Sequence, residues 1–255
     1  MQISGSSAIV VGGAGGLGEA TVRRLHAAGA KVVVADLADD KGKALEEELG
    51  VRYVRTDATD EDSVQTAIAE AEAAGPLRIS IDTHGGPATG GRLVGKDGQP
   101  LDLAGFRQTI EYYLTAVFNI MRLTAAAIGR QQPTDDDGNR GVIINTASIA
   151  AYEGQIGQLP YAAAKGGVLA MTLVAARDLS PLGIRVVTIA PGTFLTPAYG
   201  TAGDQLQAFW APKIPHPKRM GHSPEYAALA HHICENDYLN GETIRLDAAL
   251  RFPPK

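Results

Sequence analysis

Residues 8–18 read AIVVGGAGGLG, an apolar run that leads directly into a glycine-rich turn. The run at residues 8–11 is typical of a strand buried on both faces. A helical pattern at residues 19–28 follows the turn and stops at Gly29. Because glycine has no side chain, backbone N–H groups at the start of this helix can closely approach a pyrophosphate. The stretch therefore predicts a strand–turn–helix unit that binds a dinucleotide.

The rest of the chain repeats this alternation of strand and helix. We expect strands at residues 31–35, 51–55, 77–82, 142–144, 184–190 and 242–246, and helices at residues 41–49, 60–74, 102–130, 160–179 and 223–235. This alternation indicates an α/β fold, doubly wound, with a mostly parallel sheet, helices on both faces and right-handed crossovers. Residues 1–255 are expected to form a single dinucleotide-binding and catalytic domain. Residues 194–222 hold four prolines and are predicted to be a mobile lid over the substrate.

An acidic residue, Asp36, follows the second strand, 24 residues after Gly12. A carboxylate at this position can accept hydrogen bonds from a ribose 2′-hydroxyl and repels a 2′-phosphate. The sequence therefore favours NAD(H) over NADP(H). The alternative reading is a solvated carboxylate at the end of a strand.

A second informative stretch spans residues 141–167 and reads GVIINTASIAAYEGQIGQLPYAAAKGG. Ser148 follows its buried strand, at the sheet edge where open α/β proteins bind ligands. Tyr161 and Lys165 lie four residues apart on a predicted helix and so share one face. The ammonium favours the phenolate form of the tyrosine, and a serine hydroxyl can steady a reacting oxygen. The three side chains suit proton transfer during carbonyl/alcohol interconversion, although a tyrosine–lysine pair of this spacing also occurs by chance.

Composition restricts the remaining function classes. The chain has 45% hydrophobic and 20% charged residues, which is typical of a globular protein. Its net charge of −5 and lack of a basic block argue against a nucleic-acid partner. Cys234 is the only cysteine, and no ligand set accompanies His84, so neither a disulfide nor a metal site is expected. We found no targeting signal and no apolar stretch of about 18 residues, and expect a soluble, cytoplasmic protein without a membrane partner.

Taken with their spacing, these motifs resemble the short-chain dehydrogenase/reductase family over nearly the whole chain. The turn Val11-Gly12-x3-Gly16-Leu17-Gly18 is similar to the family's TGxxxGxG motif, with Val11 in place of threonine. Pro191-Gly192 resembles the motif that follows a later strand. Residues 141–158, 176–192 and 239–247 look like the branch of type-2 3-hydroxyacyl-CoA dehydrogenases, which also oxidise some hydroxysteroids.

The resemblance implies a Rossmann-type sheet of seven strands and a homotetramer built partly through the helix at residues 160–179. It implies an NAD(H)-dependent oxidoreductase that interconverts a secondary alcohol and a ketone, with a 3-hydroxyacyl-CoA or hydroxysteroid-like substrate. Tyr161 would be the acid/base, Ser148 would orient the substrate oxygen, and Lys165 would lower the tyrosine pKa and hold the nicotinamide ribose. Gln155 and Gln158 would line the substrate mouth, unless they are solvated loop residues. The cofactor-binding positions would be Gly12, Gly16, Leu17, Gly18, Asp36, Leu37, Asp57, Ala58, Tyr161, Lys165, Pro191, Gly192 and Thr193.

Two departures from the family pattern leave a second function open. The family's Asn-x-Ala-Gly motif is replaced by the segment at residues 82–86, DTHGG, and its helix asparagine by Tyr113. These changes could weaken or reroute the proton relay. The alternative function is therefore a catalytically weakened homologue that binds a dinucleotide or a partner. We interpret His84 as a loop histidine near the cofactor.

Overall fold

The computed structural model describes residues 1–255, except the side chains of residues 198 and 199. A seven-stranded sheet, parallel throughout, forms its centre and has the strand order β3-β2-β1-β4-β5-β6-β9. A separate parallel pair, β7 and β8, lies outside it. The strands are β1 Ser7–Val11, β2 Lys31–Asp36, β3 Arg52–Arg55, β4 Leu77–Asp82, β5 Gly141–Thr146, β6 Ile184–Pro191, β7 Phe194–Leu195, β8 Gly221–His222 and β9 Thr243–Leu246. The predicted doubly wound Rossmann-type fold is confirmed.

Helices cover both faces of this sheet. They are α1 Gly16–Ala27, α2 Asp39–Leu49, α3 Glu61–Ala74, α4 Leu103–Ile110, α5 Ala116–Gly129, α6 Leu159–Leu179, α7 Gly203–Trp210 and α8 Ser223–Glu235. Alternate residues of each strand point to opposite faces. Val10 packs with apolar residues of α1, α2 and α8, whereas Ile9 packs with those of α3, α5 and α6. The continuous apolar runs in the sequence follow from this double coverage.

The helix predicted over residues 102–130 is correct in extent but not in regularity. Asp102 caps it by accepting hydrogen bonds from the backbone N–H groups of Ala104 and Gly105. A π-helical turn at Glu111–Thr115 then separates α4 from α5. Such turns often occur at functional sites. This one carries Tyr113, the residue that replaces the family's asparagine.

The helix α6 has two properties that bear on assembly. Together with the turn that follows, residues 159–182 form the only helix among the described residues whose length and mean hydropathy, 1.3, would suffice to cross a membrane. The expectation that no apolar stretch is long enough to span a membrane is therefore wrong by length and composition. Core helices of soluble proteins meet the same criterion. The helix packs on β6 and carries the buried Lys165. Its outer face exposes apolar side chains, among them Val174.

The segment predicted to be a mobile lid, residues 194–222, contains regular structure. It includes β7, α7 and β8, and two short 3-10 turns at Pro197–Ala202 and Ala211–Lys213. Its first residues lie over the glycine turn, because a Cβ atom placed on Gly16 would be 2.8 Å from Thr196 Cβ. The lid thus covers the start of α1. Its movement stays a prediction.

Candidate functional site

The glycine turn between β1 and α1 forms a cradle that side chains would fill. Gly12 has φ of +74°, and a Cβ atom there would lie 2.5 Å from His84 Cα. A Cβ atom on Gly18 would lie 2.0 Å from the Gly12 carbonyl oxygen. No side chain in the described part of the chain caps the N-terminus of α1. Its backbone N–H groups and positive helix end therefore suit the pyrophosphate of a dinucleotide.

Beside this turn lies a cleft of about 270 Å³ at the carboxyl ends of β1, β2, β3 and β4. Asp36 lines it, with Oδ2 accepting a hydrogen bond from Ala14 N (2.9 Å) and Oδ1 one from Ala38 N (3.0 Å). Each carboxylate oxygen keeps a further lone pair for a ligand. Leu37, which is 51% exposed, offers apolar surface at the same cleft. The cleft has room for an adenosine group, and Asp36 would offer it hydrogen-bond acceptors; we call it the adenosine cleft.

Asp57 and Ala58, two of the predicted cofactor-binding residues, line the same cleft. Asp57 Oδ1 accepts hydrogen bonds from the hydroxyl (2.7 Å) and the backbone N–H (2.9 Å) of Thr59. These bonds, with the hydroxyl contributing most, lower the pKa of Asp57. The carboxylate is therefore ionised and held in place at neutral pH.

The structure brings Lys165 and Tyr161 together on α6, as their spacing predicts. Lys165 Nζ lies 6.0 Å from the centroid of the Tyr161 ring and donates a hydrogen bond to the backbone oxygen of Thr146 (2.6 Å). Burial lowers the pKa of Lys165 to about 8, against the opposing charge of Asp82. The ammonium thus releases its proton much more readily than an exposed lysine does.

The third predicted catalytic residue, Ser148, lies two residues after the end of β5. Its Oγ accepts a hydrogen bond from Ala150 N (3.1 Å) and caps the short 3-10 turn Ile149–Ala151, which packs against α6. The side chain is half-buried. Accepting this bond leaves the hydroxyl proton available to a substrate oxygen.

An aromatic contact that sequence reasoning did not predict completes this cluster. The Tyr113 ring meets the Tyr161 ring edge-on, with centroids 5.0 Å apart, and its own centroid lies 5.1 Å from Lys165 Nζ. The Tyr113 hydroxyl accepts a hydrogen bond from Gly86 N (3.0 Å) and donates one to the Gly86 carbonyl oxygen. The sequence identifies Tyr113 as a replacement, but the direction of its ring depends on the π-turn and on the bonds at Gly86, which the sequence does not show.

His84, which the sequence places in a loop near the cofactor, lines the cleft beside the glycine turn. Its side chain is only 8% exposed. Its Nδ1 lies 2.5 Å from Asp82 Oδ1 and its Nε2 2.6 Å from the Tyr112 carbonyl oxygen. Burial works to lower the pKa of His84, but the Asp82 carboxylate outweighs it and the pKa is raised. No cluster of three metal-ligating side chains was found among the described residues.

The remaining predicted residues lie around this centre. Gly192 is the first residue after β6, and its backbone lies so close to Asp247 that an added Cβ atom would be 2.9 Å from Asp247 Cα. The buried Thr193 hydroxyl has no hydrogen-bond partner within the described structure and is available to a ligand. Gln155 donates to the Pro253 carbonyl oxygen (3.2 Å), and its backbone N–H donates to Gln158 Oε1 (3.2 Å). The two glutamines therefore tie the C-terminal segment to the site, and their contact with substrate stays a prediction.

Comparison with known proteins agrees with this geometry. The family model described as "short chain dehydrogenase" matches residues 6–207. The human protein named 3-hydroxyacyl-CoA dehydrogenase type-2 is 44% identical over 99% of this chain and 98% of its own. The Drosophila melanogaster protein of the same name is 43% identical over 99% and 100%. A crystal structure of 3-hydroxyacyl-CoA dehydrogenase type-2 from Mycobacterium avium superimposes with a TM-score of 0.96, at 54% identity and 98% coverage of both chains. This chain therefore belongs to the short-chain dehydrogenase family, and it is an oxidoreductase that acts on secondary alcohols.

Proposed function

We propose that the protein uses NAD(H) to interconvert a 3-hydroxyacyl thioester, such as a 3-hydroxyacyl-CoA, and the corresponding ketone. The observation that carries this proposal is the buried Lys165 beside Tyr161, at the sheet edge where Ser148 presents a hydroxyl. The names of the relatives that match over almost their entire length support the substrate class. Hydroxysteroid-like alcohols are the second class of substrate that we propose.

In this mechanism the protein side chains transfer the proton, and the hydride passes between the substrate and the cofactor. A dinucleotide held by the glycine turn and Asp36 would supply the hydride chemistry, at nicotinamide C4. Ser148 donates a hydrogen bond to the substrate oxygen and fixes its position. During oxidation the Tyr161 phenolate takes the hydroxyl proton, and during reduction the phenol returns it. The Lys165 ammonium stabilises the phenolate across the short distance between the two side chains.

A groove beside Gln155 supports an apolar or acylated substrate. It has a volume of about 530 Å³ and lies between residues 91–94 and residues 154–162. Leu93, Val94 and Ile156 line it and are 64%, 57% and 48% exposed. Exposed apolar side chains concentrated in one groove are a common feature of ligand-binding surfaces. The groove fits an acyl chain or a flat apolar ring system.

The function is tested by the reduction of acetoacetyl-CoA with NADH, which is monitored by the absorbance of the reduced nicotinamide. Oxidation of a hydroxysteroid with NAD is measured in parallel. We expect turnover of the thioester, and slower turnover of the steroid. A protein that binds NADH but turns over neither substrate would contradict the proposal. The weakened homologue that binds a dinucleotide or a partner would then be favoured.

That second candidate rests on Tyr113, whose ring occupies the place where the family's asparagine would support a proton relay. If the relay were broken, Tyr113→Asn should raise kcat sharply. We expect no such gain, because the ring packs against Tyr161 and the hydroxyl is bound at Gly86, so its loss disturbs the site. Steady-state kcat of the two proteins measures this. A rise of about tenfold or more, which is the scale of a restored general acid–base step, would favour the weakened homologue.

The cofactor preference can be tested at Asp36. Asp36→Asn keeps an oxygen acceptor for only one of the two N–H groups, of Ala14 or of Ala38, and removes the charge that repels a 2′-phosphate. We expect the ratio of the Kd for NADPH to the Kd for NADH to fall about 100-fold, since a like-charge contact costs several kcal/mol. Calorimetric titration of both dinucleotides measures the ratio. Asp40→Asn, on the exposed first turn of α2, is the matched control, and an unchanged ratio in Asp36→Asn would exclude this role.

A further inference from the structure

The π-turn leaves one backbone carbonyl without its usual helical donor. In a regular α-helix the Ala116 N–H would donate to the Tyr112 carbonyl oxygen, four residues earlier. Here it donates to the Glu111 carbonyl oxygen instead, and the Tyr112 oxygen accepts the Nε2 proton of His84 at 2.6 Å. A side chain from the end of β4 therefore provides a bond to this turn of the helix.

The hydrogen bonds of His84 define its charge state. A backbone carbonyl only accepts, so Nε2 carries a proton. On the other side of the ring, Asp82 Oδ1 lies 2.5 Å from Nδ1 and also accepts the backbone N–H of His84 at 3.1 Å. A carboxylic acid is a stronger acid than an imidazolium, and the Asp82 charge raises the pKa of His84, so the shared proton lies on Nδ1. His84 is thus an imidazolium paired with a carboxylate, and both side chains are over nine-tenths buried.

We propose that His84 is a positioning residue for the proton transfer, a buried imidazolium that fixes the π-turn to the end of β4 and offsets the Asp82 carboxylate near Lys165. The inference rests on the proposed function, because its effect is read through Tyr161 and Lys165. It concerns a residue that replaces part of the family's Asn-x-Ala-Gly segment, so the family's usual mechanism does not contain it.

The first consequence is geometric. The same π-turn that His84 holds through the Tyr112 carbonyl oxygen also carries Tyr113. The Tyr113 ring packs edge-on against Tyr161, and its hydroxyl is bound at Gly86. If the turn were displaced, the Tyr113 ring would move and the Tyr161 phenol would lose its packing partner. His84 therefore acts on the catalytic tyrosine without touching it.

The second consequence is electrostatic. Asp82 acts to raise the pKa of Lys165, and Asp82 Oδ2 has no hydrogen-bond partner among the described residues. While His84 is protonated, the pair is close to neutral and the Lys165 pKa stays low. Without His84, the unpaired carboxylate binds the Lys165 proton more tightly. The charged groups that act on His84 are Asp82 on β4, Asp57 in the β3–α3 loop and Lys165 on α6. The π-turn that it bonds carries Tyr112 and Tyr113, and Tyr226 on α8 interacts with Asp82.

The charge state can be observed without any assay of activity. Protein labelled with ¹⁵N-histidine contains six imidazoles, and long-range ¹H–¹⁵N spectra distinguish protonated from unprotonated ring nitrogens. At pH 8, where an ordinary histidine is only about 3% charged, we expect one imidazole with both nitrogens protonated. Its signals should be absent in His84→Asn, or in His84→Gln if the asparagine variant does not fold. A neutral His84 at pH 8 would overturn the inference whatever the substrate proves to be.

The positioning role is tested by comparing one single variant and one double variant with the wild type. In His84→Asn we expect kcat for alcohol oxidation at pH 7.5 to fall about tenfold, the alcohol KM to stay within twofold, and the basic limb of the pH profile to move up by about one unit. In Asp82→Asn/His84→Asn the carboxylate is also gone, so the limb should return to its wild-type position. A merely structural role would lower kcat in both variants without moving the limb. A limb that stays fixed in the single variant, or that fails to return in the double one, would contradict the proposal.

Discussion

Tyr161→Phe is expected to lower kcat/KM about 1,000-fold, within the usual range for a lost general acid–base step. The substitution removes only the hydroxyl, and the remaining ring keeps its edge-on contact with Tyr113. The adenosine cleft lies at the carboxyl ends of β1 to β4 and is lined without Tyr161, so the adenosine half of the cofactor keeps its contacts in this variant. We therefore expect the Kd for NADH to stay within about threefold of the wild-type value. A tenfold change would correspond to a loss of about 1.4 kcal/mol of binding free energy. Steady-state kinetics and calorimetry on one preparation measure the two quantities.

A matched control separates the loss of this hydroxyl from the general effect of losing a phenol. Tyr238 is 98% exposed, and Tyr238→Phe should leave kcat/KM unchanged. A Tyr161→Phe enzyme with more than a tenth of wild-type activity would rule out Tyr161 as the proton donor and acceptor. A loss of NADH binding in parallel with activity would instead assign Tyr161 mainly to the cofactor site.

The elements that could be predicted correctly from the sequence are those determined by neighbouring residues in the chain. Buried parallel strands appear as short apolar runs, such as residues 142–144, and the structure extends this one to Gly141–Thr146. The helix at Pro160 was also anticipated because proline fits the first helical turn, and α6 begins one residue earlier at Leu159. The spacing of Tyr161 and Lys165 on that helix placed both in one site. These features need no knowledge of distant contacts.

The features that sequence missed depend on contacts between distant segments. The residues of the π-turn, EYYLT, show nothing that marks a change in helical pitch. The turn becomes understandable only with His84, 28 residues earlier, whose ring bonds to the Tyr112 carbonyl oxygen. The direction of the Tyr113 ring likewise follows from the bond of its hydroxyl to Gly86. The replaced motif and the replaced asparagine, which sequence treated as two separate departures, are therefore parts of one structural unit.

Several expectations stay predictions because they concern what the single chain binds. The NAD preference rests on Asp36, and the homotetramer rests on family resemblance. The outer face of α6 is consistent with a subunit contact, since Leu173 and Val174 are 45% and 57% exposed there. Apolar side chains grouped on one helix face normally require cover from another surface. The cytoplasmic location likewise stays a prediction.

Lys165→Met is expected to remove nearly all activity and to change how stability depends on pH. Methionine fills a similar volume without charge, so the phenolate of Tyr161 loses its nearby cation, and kcat should fall at least 100-fold. In the folded wild-type protein burial lowers the pKa of Lys165 from 10.5 to about 8. Between these two pH values the unfolded chain binds more protons than the folded chain, so the wild-type free energy of unfolding rises with pH.

The size of this rise can be stated because the lysine is fully buried. A shift from 10.5 to about 8 corresponds to about 3 kcal/mol, at roughly 1.4 kcal/mol per pH unit. We expect the difference in unfolding free energy, wild type minus Lys165→Met, to grow by that amount between pH 7.5 and pH 10.5. Urea unfolding at both pH values measures it, and subtraction cancels the titration of groups that the two proteins share.

The exposed Lys43 on α2 provides the control, since Lys43→Met should keep both the activity and the pH dependence of the wild type. A flat difference between wild type and Lys165→Met would mean that Lys165 titrates as a solvated lysine does. In that case the cation would remain fully charged through pH 9, and the reaction rate should not follow a group with a pKa near 8. Stability and rate thus report the same ionisation independently, and agreement between them would identify Lys165 as the group that sets the pH dependence of the reaction.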